Sequence, residues 1–227
     1  RYSNNDITWE IPRKLNLGFE MRLFDKVELQ VDYFTENRSN ILLERTNLPS
    51  SMGLEASVEA NVGRAKSHGV EGALTYQHSF SEDFWLSANA NFTYATSEFL
   101  VADEPDYAAS GLPWRSRIGY SLNQQWGYIA ERLFIDETDI ANSPIQTFGP
   151  YMPGDIKYKD INRDGKIDES DLVPIGYPTE AEINYGFGAT LGYKGFDFSF
   201  FFNGLGRKTF FIDAQQMAPF NNPPVTA

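Results

Sequence analysis

Apolar and polar residues alternate with a period of two along most of this chain, and no other feature constrains its fold as tightly. Successive side chains of a β-strand point to opposite faces, so sustained alternation assigns one residue set to each face. Over 14–23, Leu15, Leu17, Phe19, Met21 and Leu23 share one face, while Lys14, Asn16, Gly18, Glu20 and Arg22 take the other. After Asp25-Lys26 the pattern resumes, with Val27, Leu29, Val31 and Tyr33 set against Glu28, Gln30 and Asp32. Segments 70–80, 85–94 and 183–193 repeat it, and 197–203 adds a further strand. The chain reads as antiparallel and all-β.

The connections alternate in length. Short ones are predicted at 24–26, 80–84 and 193–196, and long ones at 44–61, 99–113 and 131–182. Short turns at one end and long loops at the other are the habit of outer-membrane barrels. Two separate long loops at 99–113 and 131–182 require the intervening 114–134 to descend and rise again, with a turn near 122–125. That gives about eight strands in all. No apolar run approaches the roughly 18 residues of a transmembrane helix, but a barrel strand needs only about 9–11 alternating residues. A soluble β-sandwich also alternates its faces, with the apolar one as core, and stays open as the alternative. Two features favour the transmembrane barrel. Phe24, Phe80, Phe84, Trp85, Tyr193 and Phe196 cluster beside the short turns like an interfacial girdle. The polar faces are rich in Gly, Asn, Ser and Thr, as a lumen would be.

Composition removes several functions. A net charge of −12 excludes a fold-wide basic surface for nucleic acid. The absence of cysteine removes disulfides, thiolate nucleophiles and Cys-ligated metals. Two histidines, His68 and His78, leave little for a zinc site or a Ser-His-Asp triad, and both read as ordinary strand residues. Adjacent acids such as Asp103/Glu104 and Asp168/Glu169 read as solvated or metal-bound rather than as a glycosidase pair. Gly186, Gly188 and Gly192 lie within a strand, at the wrong spacing for a dinucleotide fingerprint. Arg115 and Arg117 beside Trp114 read first as a solvated strand end and second as the wall of an anion site. No enzyme is expected.

One motif carries metal chemistry. Asp160, Asn162 and Asp164 occupy positions 1, 3 and 5 of the calcium-loop template, and Gly165 stands at position 6, where the sharp turn falls. Lys166 at position 7 would offer its backbone carbonyl, Ile167 at position 8 would pack inward, Asp168 would coordinate directly or through water, and Asp171 would close the loop. Calcium takes six to eight hard oxygens, and this spacing wraps oxygens around a point. The departures are Asp171 in place of the bidentate Glu, and Pro174, which stops a long exiting helix. The reading is a lone loop whose ion pins a long connection, not a sensor. That connection, 131–182, holds twelve acidic and five basic side chains, more than half of the chain's net negative charge. An acidic loop of this kind is a docking surface for a partner or ligand.

Several of these residues also carry a family resemblance. Pro153-Gly-Asp-Ile-Lys-Tyr-Lys-Asp-Ile-Asn-Arg-Asp-Gly-Lys-Ile-Asp168 with Ile175-Gly176 resembles the SusC/RagA family of TonB-dependent outer-membrane transporters from Bacteroidetes. Tyr185-Gly186 and 193–204 are similar to the strand pair that follows that loop in the family. Trp9-Glu10, 16–20, Asp32-Tyr-Phe34 and Ile41-Leu42 are similar to earlier barrel strands. Residues 126–134 match only loosely.

The resemblance implies that residues 1–227 are part of one large barrel in the outer membrane, with the long loops extracellular. In that family a SusD-like surface lipoprotein lids the barrel, and the TonB complex drives import of oligosaccharide or peptide through a plug and TonB box. Neither is seen here, nor is a terminal aromatic residue, so the expected chain is a C-terminal barrel fragment. Loops 46–60, 102–111 and 134–179 would face substrate or lid. The alternatives are a secreted sandwich with a calcium-pinned binding loop and, third, a small closed eight-stranded barrel.

Overall fold

The computed structural model describes residues 6–46, 53 and 58–212. The chain opens with four long strands, β1 (Ile11–Leu23), β2 (Val27–Glu44), β3 (Glu59–Ser81) and β4 (Phe84–Val101). An excursion over 102–182 follows, carrying β5 (Gln125–Gly127), β6 (Ala130–Leu133), the short helix α1 (Glu137–Ala141), β7 (Ile145–Gln146), β8 (Ile156–Tyr158), β9 (Lys166–Ile167) and β10 (Val173–Ile175). Strands β11 (Ile183–Tyr193) and β12 (Phe196–Gly206) complete the order. The long strands form one antiparallel sheet of six, β1-β2-β3-β4-β11-β12, open at both ends.

The register shows what the alternation is for. Residues directly opposite in an antiparallel pair lie on the same face. One ladder runs Phe19–Val31–Gly72–Phe92–Tyr185, and the next runs Met21–Leu29–Leu74–Ala90–Phe187–Phe202. A third runs Leu23–Val27–Tyr76–Ala88–Ala189–Phe200. The interleaved ladders are polar, for example Glu20–Gln30–Ala73–Asn91–Gly186–Asn203 and Gly18–Asp32–Glu71–Thr93–Asn184. A sandwich would cover the apolar set with a second layer. Here, among the described residues, Leu17 is 60% exposed, Phe187 47%, Phe202 57% and Phe198 66%. The apolar face is continuous and uncovered.

The strands outrun a membrane. β2 and β4 have 18 residues each and β3 has 23, against the roughly 9–11 that span a bilayer. Towards the long-loop end the same face turns polar, through Thr35–His68–Thr96 and Asn37–Lys66–Glu98. At the short-turn end Phe80 stacks on Phe84, and Phe84 meets Tyr193 edge-on. Trp85 departs from the girdle expectation, since it lies on the polar face over Gly192. A Cβ at Gly192 would sit 2.2 Å from its Nε1, so the indole needs a glycine beneath it.

Among the described residues the long strands number six, which corrects the expected count of about eight. Residues 114–134 are not a descending and rising pair, because β4 bonds directly to β11 through Tyr94↔Ile183 and onward to Phe84↔Tyr193. β4 runs up and β11 runs down, so parity is satisfied once 102–182 is a single connection. Inside it, Pro113–Arg115 form a 3₁₀ turn, Ile118 bridges Phe99, β5 pairs β10, β6 pairs β8, and β7 lies parallel to β9. The expected loop 46–60 lies mostly outside the described residues.

Where the sheet buries only Ala65 and Phe99 among its described apolar side chains, the excursion has a small core of its own. Phe134, Ile167 and Val173 are buried there, with Gln146 and Asp171. Phe134 stacks on Tyr151, and Tyr128, Phe148 and Tyr158 form a ring cluster. The exit is fastened at Glu182, whose carboxylate accepts from Arg207 Nε at 2.6 Å and Thr96 Oγ1 at 2.5 Å while its carbonyl accepts from Ala95 N.

Candidate functional site: the closed loop at 160–171 and the cavity beside it

The loop folds as its sequence suggests, through side-chain oxygens that capture backbone N–H groups. Asp160 accepts from Arg163 N at 2.5 Å and Gly165 N at 2.8 Å. Asn162 Oδ1 accepts from Asp164 N, and Asp164 Oδ1 from Lys166 N. Gly165 takes a φ of +86°, the left-handed turn that the glycine permits. Ile167 at position 8 is wholly buried, as expected. Lys166 lies in β9 opposite Ile145, with its side chain exposed.

Asp171 is the clasp. Its wholly buried carboxylate accepts from Ile161 N at 2.7 Å, Asn162 N at 3.4 Å and Asp168 N at 3.0 Å, joining the start of the loop to its end. Asp168 caps the 3₁₀ turn Glu169–Asp171 by accepting from Ser170 N, and the two aspartates form a reciprocal capping box. The Ser170 amide and then its hydroxyl hold the Asp168 carboxyl below its ordinary value, against the opposing effect of burial. Burial, reinforced by Glu169, Asp168 and Asp171, pushes the nearby Tyr128 phenol up.

All the side-chain oxygens expected to bind an ion are hard donors of the class calcium takes. Their convergence is a separate matter. Each carboxylate of Asp160, Asp164, Asp168 and Asp171 is turned to backbone N–H groups. Among the described residues no group of three acidic or histidine side chains meets at a common ion position.

What the loop is fastened to is visible only in the fold. Trp114 Nε1 donates to the Ser170 carbonyl at 2.8 Å, and the Arg115 guanidinium donates to the Glu169 carbonyl. The 3₁₀ turn at 113–115 is thus held by the one that ends the loop. Beyond Arg115 opens a cavity of about 390 Å³, at the seam between the tops of β2 and β4 and the excursion. Glu44, Tyr107, Arg115, Arg117, Gln124 and Trp126 are among its walls. Arg117 lies 4.7 Å over the Phe99 ring and Arg115 5.7 Å over that of Tyr107. Arg115 and Arg117 are therefore part of a cavity wall and not a strand end. His78 sits between Tyr76 and Phe80 in a ring ladder, an ordinary strand residue.

Comparison with known proteins gives the wider frame. The profile of the family described as TonB dependent receptor-like, beta-barrel, matches residues 1–166. TonB-dependent receptor P3 of Formosa agariphila is 26% identical over 211 residues, which cover 88% of this chain and 21% of that protein. TonB-dependent receptor P26 of the same organism is 29% identical over 213 residues, covering 90% of this chain and 21% of its own. The chain spans about a fifth of the length of these relatives. Among solved structures, the RagAB peptide importer superposes with a TM-score of 0.64 in its open-open state, over 90% of this chain and 21% of that one, at 18% identity. In the closed-closed state the TM-score is 0.61, over 92% and 22%, at 19% identity. These neighbours share the fold, and with the profile match over most of its length, the chain belongs to the TonB-dependent receptor-like β-barrel family.

Proposed function

We propose that this chain supplies part of the wall and outward loops of an outer-membrane, TonB-dependent importer of the SusC type, which carries oligosaccharide or peptide. One observation carries the reading: in a single register across six strands, apolar ladders occupy one face and polar ladders the other, and no second layer covers the apolar face among the described residues. Lipid is the solvent that such a face fits, and a water-filled lumen is what the other fits. The short turns then face the periplasm, while the excursion over 102–182 stands outside the cell.

In this reading the chain catalyses no reaction. The TonB complex supplies energy through a plug and TonB box elsewhere in the parent protein, and a SusD-like lipoprotein closes over the excursion. Calcium at 160–171 belongs to the same proposal, supported by the hard-oxygen class of Asp160, Asn162, Asp164, Asp168 and Asp171, by the carbonyl of Lys166 and by their spacing. The ion would strengthen a loop that Asp171 already clasps.

The test is to extract the parent polypeptide from the outer-membrane fraction in detergent, then measure its intact mass and its bound partners. A chain several times longer than 227 residues, held with a surface lipoprotein, is expected. A soluble product of this length would overturn the reading. Terbium luminescence on the same material tests calcium: sensitised emission displaced by calcium supports it, and no emission removes it.

A further inference from the structure

The cavity at the seam has a chemistry that the importer reading does not specify. Its wall holds functional groups of both polarities. Asp103 is held by Arg45 at 2.9 Å, and Glu104 accepts from Ser116 Oγ and Arg117 N. Among the bonds resolved around it, the Glu44 carboxylate takes no partner, the Arg117 guanidinium meets only the Phe99 ring, and Arg115 spends one donor on Glu169. Gln124 donates from Nε2 to the Gln125 and Ile175 carbonyls, which turns its amide oxygen into an available acceptor. Trp126 supplies a half-buried aromatic wall, steadied edge-on by Tyr120 at 5.6 Å.

We propose that this cavity is a subsite for one or two units of a neutral oligosaccharide, and this rests on the importer reading above. A sugar hydroxyl donates and accepts at once, so it is matched by carboxylate and amide acceptors beside guanidinium donors. The C–H face of a pyranose is apolar and lies flat on an indole. The carboxylates of Glu44, Asp103 and Glu104 are matched by the guanidiniums of Arg115 and Arg117 in the wall and of Arg45 on Asp103, so no net charge selects a charged ligand. One way in which an extended peptide is read is by pairing along an open strand edge. Here the edge at the top of β4 is already occupied, because Phe99 N donates to the Tyr120 carbonyl and Gly119 N to the Phe99 carbonyl. The volume, about 390 Å³, lies within the range of small-ligand sites.

The subsite is also held from behind. Asp171 clasps the 160–171 loop, the 3₁₀ turn that ends the loop holds Trp114 and Arg115, and Arg115 enters the cavity wall. Arg115 is therefore a binding residue and Asp171 a positioning residue.

The experiment uses the full parent protein with whatever lipoprotein co-purifies, in detergent. Calorimetry compares neutral oligosaccharides of glucose, mannose and xylose with neutral peptides of similar mass, in wild type, Trp126→Ala and Arg117→Ala. At least one saccharide is expected to bind, and each substitution should weaken it by about tenfold while heat-modifiable gel mobility stays that of the wild type. The positioning role predicts a smaller loss in Asp171→Ala, with Asp171→Glu closer to wild type. Peptide binding that Trp126→Ala abolishes would overturn the saccharide assignment. Saccharide binding indifferent to Trp126 and Arg117, or no binding of either class, would overturn the subsite. In all these cases an outer-membrane chain with its lipoprotein leaves the importer reading standing, while a soluble chain would sink that reading itself.

Discussion

The sheet and the excursion are stabilised in opposite ways, though they come from one chain. The six strands have almost no core: Ala65 and Phe99 are the buried apolar residues among them, and Leu17, Phe19, Phe198 and Phe202 stand exposed. Their stability must come from backbone pairing and from a surrounding apolar solvent. Residues 102–182 bury Phe134, Ile167, Val173 and the Asp171 carboxylate, with pairings only two to four residues long. That region depends on specific side-chain bonds and is built for water. In the importer reading proposed above, the chain leaves the membrane where the ladders stop being apolar, at Thr35, His68 and Thr96.

The sharpest way to break this comparison is Asp171→Ala. Three backbone N–H groups lose their buried acceptor, at about 1–3 kcal/mol for each group left unsatisfied. Hydrogen exchange should rise throughout 156–175 and stay unchanged in β1–β4. Uniform loosening of both regions would show that they are not independent. Next in size is Phe187→Arg, in the middle of an apolar ladder. It should reduce folding into bilayers by about 2–4 kcal/mol, measured by urea titration in liposomes, and leave exchange in the excursion unaltered. Ile167→Val removes one methylene from the excursion's centre and should cost about 1 kcal/mol, with no dependence on lipid.

The smallest effect is on pH. The Arg132 guanidinium, followed by the Ile135 amide, holds the Asp139 carboxyl well below the usual carboxylate range. A depressed folded value gives stability that is complete above the unfolded value of about 3.9 and is lost as pH falls through the folded one. Arg132 reaches the pair from solvent, which screens it, so the change should be slight. Acid titration followed by exchange around α1 should show loosening only well below pH 4 in wild type, and Asp139→Asn should remove that dependence.

Much of the sheet was legible because alternation is a strong signal over ten or more residues. Strands β1, β2, β11 and β12 fall where the pattern places them, and the calcium-loop spacing correctly marks Gly165 as the turn and Ile167 as buried. Pairings of two to four residues leave no period to read, so the pattern assigns 114–134 to a long strand pair, when β5 and β6 pair only briefly inside the excursion and Ile118 makes a single bridge to Phe99 of β4. Aromatics on the polar face were hidden for a different reason. Phe34 lies over Gly69 and Phe201 over Gly188, contacts made by glycines on neighbouring strands. The cavity escaped because Glu44, at the end of β2, lies far along the chain from Arg115 and Trp126, and the three meet only where the excursion folds against the tops of β2 and β4.

Which face of the sheet meets lipid is tested directly by single-cysteine labelling, since residues 1–227 contain no cysteine and any elsewhere in the parent protein is first replaced by serine. Cysteines would be placed at Phe19, Glu20, Asn91 and Phe187 in the parent protein, in intact outer membranes. They would be probed with a charged maleimide and with a lipid-soluble one. The account predicts that Phe19→Cys and Phe187→Cys react only with the lipid-soluble reagent, while Glu20→Cys and Asn91→Cys react with the charged one. Charged-reagent labelling at Phe19 and Phe187, with Glu20 and Asn91 protected, would contradict it.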